Sequence, residues 1–166
     1  MNLQELYDRY GEKMYQYLAL RLGSKADAED VLQETFCRLA RYAVRWALIG
    51  NPRAFVFKVL RNEFNRHLKR RITQVRLERA ALNEQENTPA RSSALPADPE
   101  DAVLSKSVEG VLSGLPDEQK EVVILKVFQG FSFREIGGIC RVSTATAASR
   151  YRYGMDKIRS RLEGKP

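Results

Sequence analysis

The sequence predicts an all-α protein of two small helical domains joined by a flexible linker, the second containing a helix-turn-helix. Three observations carry this expectation. Apolar residues recur at three- and four-residue spacing through most of the chain, and no alternating strand pattern occurs. Between them lies NEQENTPARSSALPADP, which has three prolines, little apolar content and no periodicity, as a tether does. The domains are expected at 1–82 and 101–166, with the linker at 83–100.

Leu3, Leu6, Tyr7, Tyr10, Met14 and Leu18 mark a first helix with one buried stripe, stopped by Gly23. Ser24 and Asp27 have the spacing of a capping box, followed by the stripe Ala28, Val31, Leu32, Thr35, Phe36 and Leu39. The opposite face carries Glu29, Asp30, Gln33, Glu34 and Arg41. A loop from Tyr42 to Gly50 leads to Asn51-Pro52, an N-cap followed by proline at the first helical position. Val56, Val59, Leu60, Phe64 and Leu68 form the third stripe. Lys58, Arg61, Asn62, Asn65, Arg66 and Lys69 form its other face, and the helix runs into Arg70 and Arg71.

Beyond the tether, Val103, Leu104, Val108, Val111 and Leu112 suggest another helix. Leu115-Pro116-Asp117-Glu118 opens the next with proline and acids. This one is apolar through Val122, Val123, Leu125, Val127 and Phe128 and ends near Gly130. Ser132 and Glu135 cap a short helix with Ile136 and Ile139 inward. A tight turn at Arg141-Val142-Ser143 then precedes a basic helix from about Thr144 to Leu162. Short helix, turn and longer helix give the layout whose second helix enters the major groove.

Lys and Arg outnumber Asp and Glu by 28 to 21, a formal charge of +7, which favours a polyanionic partner. No apolar run approaches the ~20 residues of a membrane-spanning helix, and a cytoplasmic protein is expected. Cys37 and Cys140 lack C-x-x-C or paired-histidine spacing, so no metal site is indicated, and both are expected to be buried. One histidine and two separated cysteines cannot assemble a nucleophile-base pair or a metal cluster, which argues against an enzyme.

Basic residues beside aromatics suit single-stranded nucleic acid, because cations track phosphates while rings stack on unpaired bases. Trp46, beside the basic helix, reads equally as an exposed stacking ring or a core anchor. His67 reads as structural or phosphate-proximal. Tyr151 and Tyr153, on different faces of one helix, can pack or touch DNA. The last helices can also be an ordinary three-helix core.

DAEDVLQETFCRLARY (27–42) resembles the sigma-factor stretch that docks on the clamp helices of RNA polymerase. NPRAFVFKVLRNEFNRHLKRR (51–71) resembles the helix that melts and reads the minus-10 element. LPDEQKEVVILKVFQGFSFREIGGICRVSTATAASRY (115–151) resembles the domain that reads the minus-35 element. Their order and the tether identify the chain as similar to the extracytoplasmic-function group of the sigma-70 family, with regions 2 and 4 in the two domains. The extra regions of larger housekeeping members are expected to be absent.

The resemblance implies that Asp30, Gln33, Glu34 and Arg38 contact core polymerase. It sets Trp46, Lys58, Arg61, Asn62, Arg66 and Lys69 at the minus-10 strand, with a flipped base held by the loop Tyr42 to Gly50. It sets Arg134, Arg141, Thr146, Ala148, Ser149, Arg150 and Arg152 at or near the minus-35 duplex. It also implies an anti-sigma partner and no cofactor. The chain departs from the common pattern at Ala148, where a basic residue is usual, and at Arg66, where Asp is usual. Two rival readings are a helix-turn-helix regulator acting without polymerase docking and a helical RNA-binding or antitermination protein.

Overall fold

The computed structural model describes residues 1–82 and 107–164; the expected linker and the first part of the helix around Val103 and Leu104 lie outside the described residues. Every regular element among the described residues is helical. In the first lobe α1 spans Leu3–Leu22, α2 Lys25–Ala40 and α3 Pro52–Leu82, with a 3₁₀ turn at Ala43–Leu48. In the second, α4 covers 107–113, α5 Asp117–Val123, α6 Phe133–Cys140 and α7 Thr144–Leu162.

Local chemistry sets most of the boundaries. Gly23 ends α1 in the left-handed region at φ 62°, its N–H donating to the Ala19 carbonyl. Asn2 and Glu5 form a capping box at the other end, a signal the sequence reading passed over. At Ser24 only half the expected box forms. Its hydroxyl accepts from the Asp27 N–H, but the Asp27 carboxylate is taken by Arg71 and lies 3.4 Å from His67 Nε2. Asn51 caps α3 as expected, accepting from the Ala54 N–H at 3.1 Å. That helix does not stop at its arginines and continues exposed to Leu82.

Leu6, Tyr10, Met14 and Leu18 pack against Val31 and Leu39 of α2 and Val56, Leu60 and Phe64 of α3. Each such side chain contributes about 1.5–3 kcal/mol on burial. Leu3 and Tyr7, read as part of the stripe, lie at its rim and are exposed; Tyr7 leans on Phe36. Cys37 is also exposed, contrary to expectation. Two residues beyond buried Thr35, it sits about 200° around α2. Cys140 is buried, and burial above all pushes its thiol up to about 12, leaving an unreactive small hydrophobe.

In the second lobe α5 passes into a π-helical turn at Ile124–Phe128, closed by the Gln129 N–H on the Ile124 carbonyl. The wider turn shifts the angular frame, and Val127, expected inside, is exposed. Gly130 then reverses the chain at φ 68°. Ser132 and Glu135 form the full capping box expected for α6. The turn into α7 places Arg141 at φ 58° and sets the Val142 N–H on the Gly137 carbonyl.

Gly137 has a steric reason to be glycine: a Cβ there would sit 2.8 Å from the Val142 carbonyl oxygen. Gly137→Ala is expected to cost the second lobe about 1–3 kcal/mol by forcing that turn apart. At Gly138 a Cβ meets nothing within 4 Å, so Gly138→Ala should leave the thermal midpoint unchanged or raised. Equal midpoints for the two variants would refute the close approach.

Helical periodicity does not show that the lobes pack on one another, yet they share a core. Phe131 of the second lobe meets Phe57 of α3 edge-on at 5.0 Å, and the Arg53 guanidinium lies over Phe131 at 4.2 Å. Gln129 donates to the Lys13 carbonyl and to Gln16 on α1, and Asn51 donates to Glu135 at 2.9 Å.

Candidate nucleic-acid interface

The outer face of α2 keeps part of its predicted character. Asp30 and Gln33 are exposed. Glu34 accepts from Arg70 at 2.6 Å, and that bond holds its carboxyl below the usual carboxylate range. Arg38, expected beside them, donates instead to Glu63 of α3 at 3.0 Å. Glu63 is buried and also accepts from Arg66 on both oxygens at 3.1 Å. A buried carboxylate needs such partners, which is why Arg38 turns inward. The result is a charged groove between α2 and α3, lined by Asp30, Gln33, Glu34, Cys37, Arg66 and Arg70.

The basic face of α3 divides. Lys58, Asn62, Asn65, Arg66 and Lys69 share a stripe at helical spacing, with Arg66 and Lys69 exposed. Arg61 does not join it. Its Nε donates at 2.7 Å to Glu121 on α5, a carboxylate that also accepts from Arg21 Nη1 at 3.1 Å and from the Tyr17 hydroxyl at 2.8 Å. Burial pushes the Glu121 carboxyl up, but Arg21, Arg61 and these hydrogen bonds outweigh it and hold it below the usual range. Burial above all pushes the Tyr17 phenol well above its ordinary range, so it stays a donor. The Arg21 guanidinium completes the cluster over the Phe64 ring at 3.9 Å.

The loop before α3 turns its ring inward. Trp46 is 7% exposed and meets Phe55 edge-on at 6.0 Å, with Tyr42 against the same ring at 5.1 Å. Of the two readings of Trp46, the structure selects the core anchor. The apolar side chains this loop does present are Val44 and Leu48, 95% and 85% exposed.

On the helix-turn-helix, Arg134, Arg141 and Arg152 are exposed, and Arg152 lies near the Tyr153 ring at 5.2 Å. Ala148 and Ser149 are half-buried beside them. Arg150 turns back to Glu118 of α5 at 3.1 Å, and the Thr146 hydroxyl accepts from Ser143 in the cap of α7. Tyr151 packs against Phe133 at 5.4 Å, whereas Tyr153 is exposed. Thr144 and Ala145, in the first turn of α7, are exposed on the same side as Ala148, Ser149 and Arg152. The first turn of a recognition helix is where base contacts concentrate, and of that turn the sequence reading named only Thr146.

Two family models match this chain: Sigma-70 region 2 over residues 6–72 and Sigma-70, region 4 over residues 105–158. Together they take in both lobes. The chain belongs to the extracytoplasmic-function group of the sigma-70 family. Among its relatives, the ECF RNA polymerase sigma factor SigE of Mycolicibacterium smegmatis is 31% identical over 95% of this chain and 60% of its own length. SigW of Bacillus subtilis is 26% identical over 95% of this chain and 87% of its own. The fold is shared with RpoE, solved with the anti-sigma factor NepR from Bartonella quintana. That match has a TM-score of 0.74 at 22% identity and covers 96% of each chain. It is shared also with CnrH, solved with the cytosolic domain of CnrY, at TM-score 0.71 and 16% identity over 99% of this chain and 89% of that one.

As a sigma factor it is a promoter-specific initiation factor that binds polymerase. The rival regulator is not favoured, since its ligand-sensing lobe would have to be the segment matched by region 2. No helix among the described residues is long and apolar enough to cross a membrane. One juxtaposition was not expected from the sequence. Arg141 of the turn shares a groove with Arg61, Asn62, Asn65, Arg66 and Lys69 of α3, so cations assigned to separate promoter elements stand together.

Proposed function

We propose that this sigma factor docks on core RNA polymerase through Asp30, Gln33 and Glu34 and reads promoter DNA with α3 and α7. It works in the cytoplasm and supplies no catalytic group. The observation that carries the reading is the coexistence of an acidic outer face on α2 with exposed cations on both lobes, Arg66 and Lys69 on α3 and Arg134, Arg141 and Arg152 on the helix-turn-helix. Lys58, Asn62, Arg66 and Lys69 track the minus-10 strand. Val44 and Leu48 offer apolar contact to an unstacked base, whose extrusion costs a few kcal/mol that the loop must offset. Thr144, Ala145, Ala148, Ser149 and Arg152 face the minus-35 base edges, while Arg134 and Arg141 hold phosphates. The likeness to RpoE, solved with the anti-sigma factor NepR, supports such a partner for this chain.

The test is to mix purified core polymerase with this protein and map start sites across a genomic library. Initiation at discrete promoters is expected, dependent on both components. Specific duplex binding by the free protein with no effect on the core enzyme would refute the reading.

A further inference from the structure

Helix α3 is longer than its family match. The region 2 match ends at residue 72, whereas the helix continues to Leu82, with every residue from Lys69 onward exposed. At 1.5 Å per residue the excess projects about 15 Å beyond the matched domain. It grows from the packed part of α3 and so needs no nucleus of its own, and Gln74 supports it by donating to Glu78 one turn on, at 2.9 Å.

Seven residues make nearly two turns, so Lys58 with Asn65, Asn62 with Lys69, and Lys69 with Arg76 are each only about 20° apart around the axis. The face assigned to the minus-10 strand therefore runs on along the extension as far as Arg76. Arg76 is exposed and makes no ion pair among the described residues. Glu78, the acid of the extension, lies about 200° away from it around the helix. Beside Arg76 this face carries Thr73 and Ala80, and the Thr73 hydroxyl donates to the Lys69 carbonyl at 3.0 Å. No aromatic ring stands between Leu68 and Leu82 to stack on an unpaired base. A cation with so little around it for reading bases suits a phosphate.

The lobe that follows α3 in the chain belongs to the minus-35 element, which lies upstream, so the C-terminal end of α3 is the upstream end. Arg76 stands seven residues past Lys69, about 10 Å, or about three base pairs along the DNA. The DNA reached there is the paired spacer. We propose that the extension of α3 grips the double-stranded spacer just upstream of the minus-10 element, with Arg76 on a phosphate and without regard to base sequence. This placement rests on α3 facing the minus-10 strand, as proposed above. The competing occupant is a protein seated on Val75 and Leu82, exposed apolar residues about 100° or more around the helix from Arg76.

Holoenzyme reconstituted with core polymerase, measured on promoter duplexes at several salt concentrations, tests the grip. Arg76→Ala should weaken binding several-fold, alike for all spacer sequences, and lower the salt slope by roughly one. Arg76→Lys should restore most of both, because a phosphate accepts a point charge. Replacing the phosphates of about four base pairs upstream of the minus-10 element by neutral methylphosphonates should cost the wild type several-fold more than it costs Arg76→Ala. Circular dichroism should be the same for all these proteins, since Arg76 is exposed.

Equal affinity and equal salt slope for the wild type and Arg76→Ala overturn the proposal. So does a loss of the same size on charged and neutral templates, which would put a protein surface rather than DNA against the extension. Lys69→Ala separates this failure from failure of the reading beneath it. If Lys69→Ala weakens promoter binding and Arg76→Ala does not, the grip is refuted and the placement of α3 stands. If neither variant weakens it, the placement of α3 on the minus-10 strand falls together with the grip.

Discussion

Reversing the charge at both Asp30 and Glu34 should lower the affinity for core polymerase by about a hundredfold, roughly 3 kcal/mol if each acid makes one charge-assisted contact. The fold should survive. Asp30 is exposed, and the pair of Glu34 with Arg70 is about half in solvent, where such a bridge adds little to stability. Circular dichroism should therefore show little change, while a pull-down with core enzyme shows a large loss. Arg38→Ala separates docking from packing. Because Arg38 is committed to buried Glu63, its removal should act mainly on stability, leaving Glu63 to Arg66. Equal pull-down losses for Arg38→Ala and the double reversal would show that Arg38 meets polymerase directly. Unaltered affinity in the double variant would reduce the α2 face to solvated surface.

The second large effect is expected at α7. Arg152 is exposed on the side of α7 that carries Ala148 and Ser149, and a bidentate contact from it to a base edge is worth about 1–3 kcal/mol of discrimination. Arg152→Ala in the reconstituted holoenzyme should flatten the preference among minus-35 variants. Arg134, at the start of α6, should behave differently: Arg134→Ala should weaken all sequences alike and reduce the salt slope by roughly one. Arg150 supplies an internal comparison, since it is held by Glu118 and should leave minus-35 preference intact. If Arg152→Ala changes neither preference nor salt dependence, the reading face of α7 lies elsewhere around its axis.

The helices and their ends were legible because they are local. Gly23, Asn51 and the Ser132–Glu135 box act within one turn, and the apolar stripes repeat at the pitch of the helix. The family could be read for a related reason, since its segments are contiguous. Side-chain destinations at the edge of a stripe were not legible. Trp46 is as aromatic inside as outside, and Cys37 follows a buried stripe without belonging to it.

What only the tertiary structure decided is which cations are free. Arg38, Arg61 and Arg150 each sit at helical spacing from exposed basic residues, and each is claimed by an acid on another helix: Glu63, Glu121 and Glu118. Helical periodicity carries no record of a partner 25, 60 or 32 positions away, so by sequence alone an arginine bound for DNA looks the same as one bound for a carboxylate. One trace existed: Glu121 stands directly before Val122, Val123, Ile124 and Leu125, where a charge must be paired to be buried. The sequence by itself thus determined the helices, the two lobes and the family, whereas the contact between lobes required the fold, because burial of an ion pair depends on both surfaces at once.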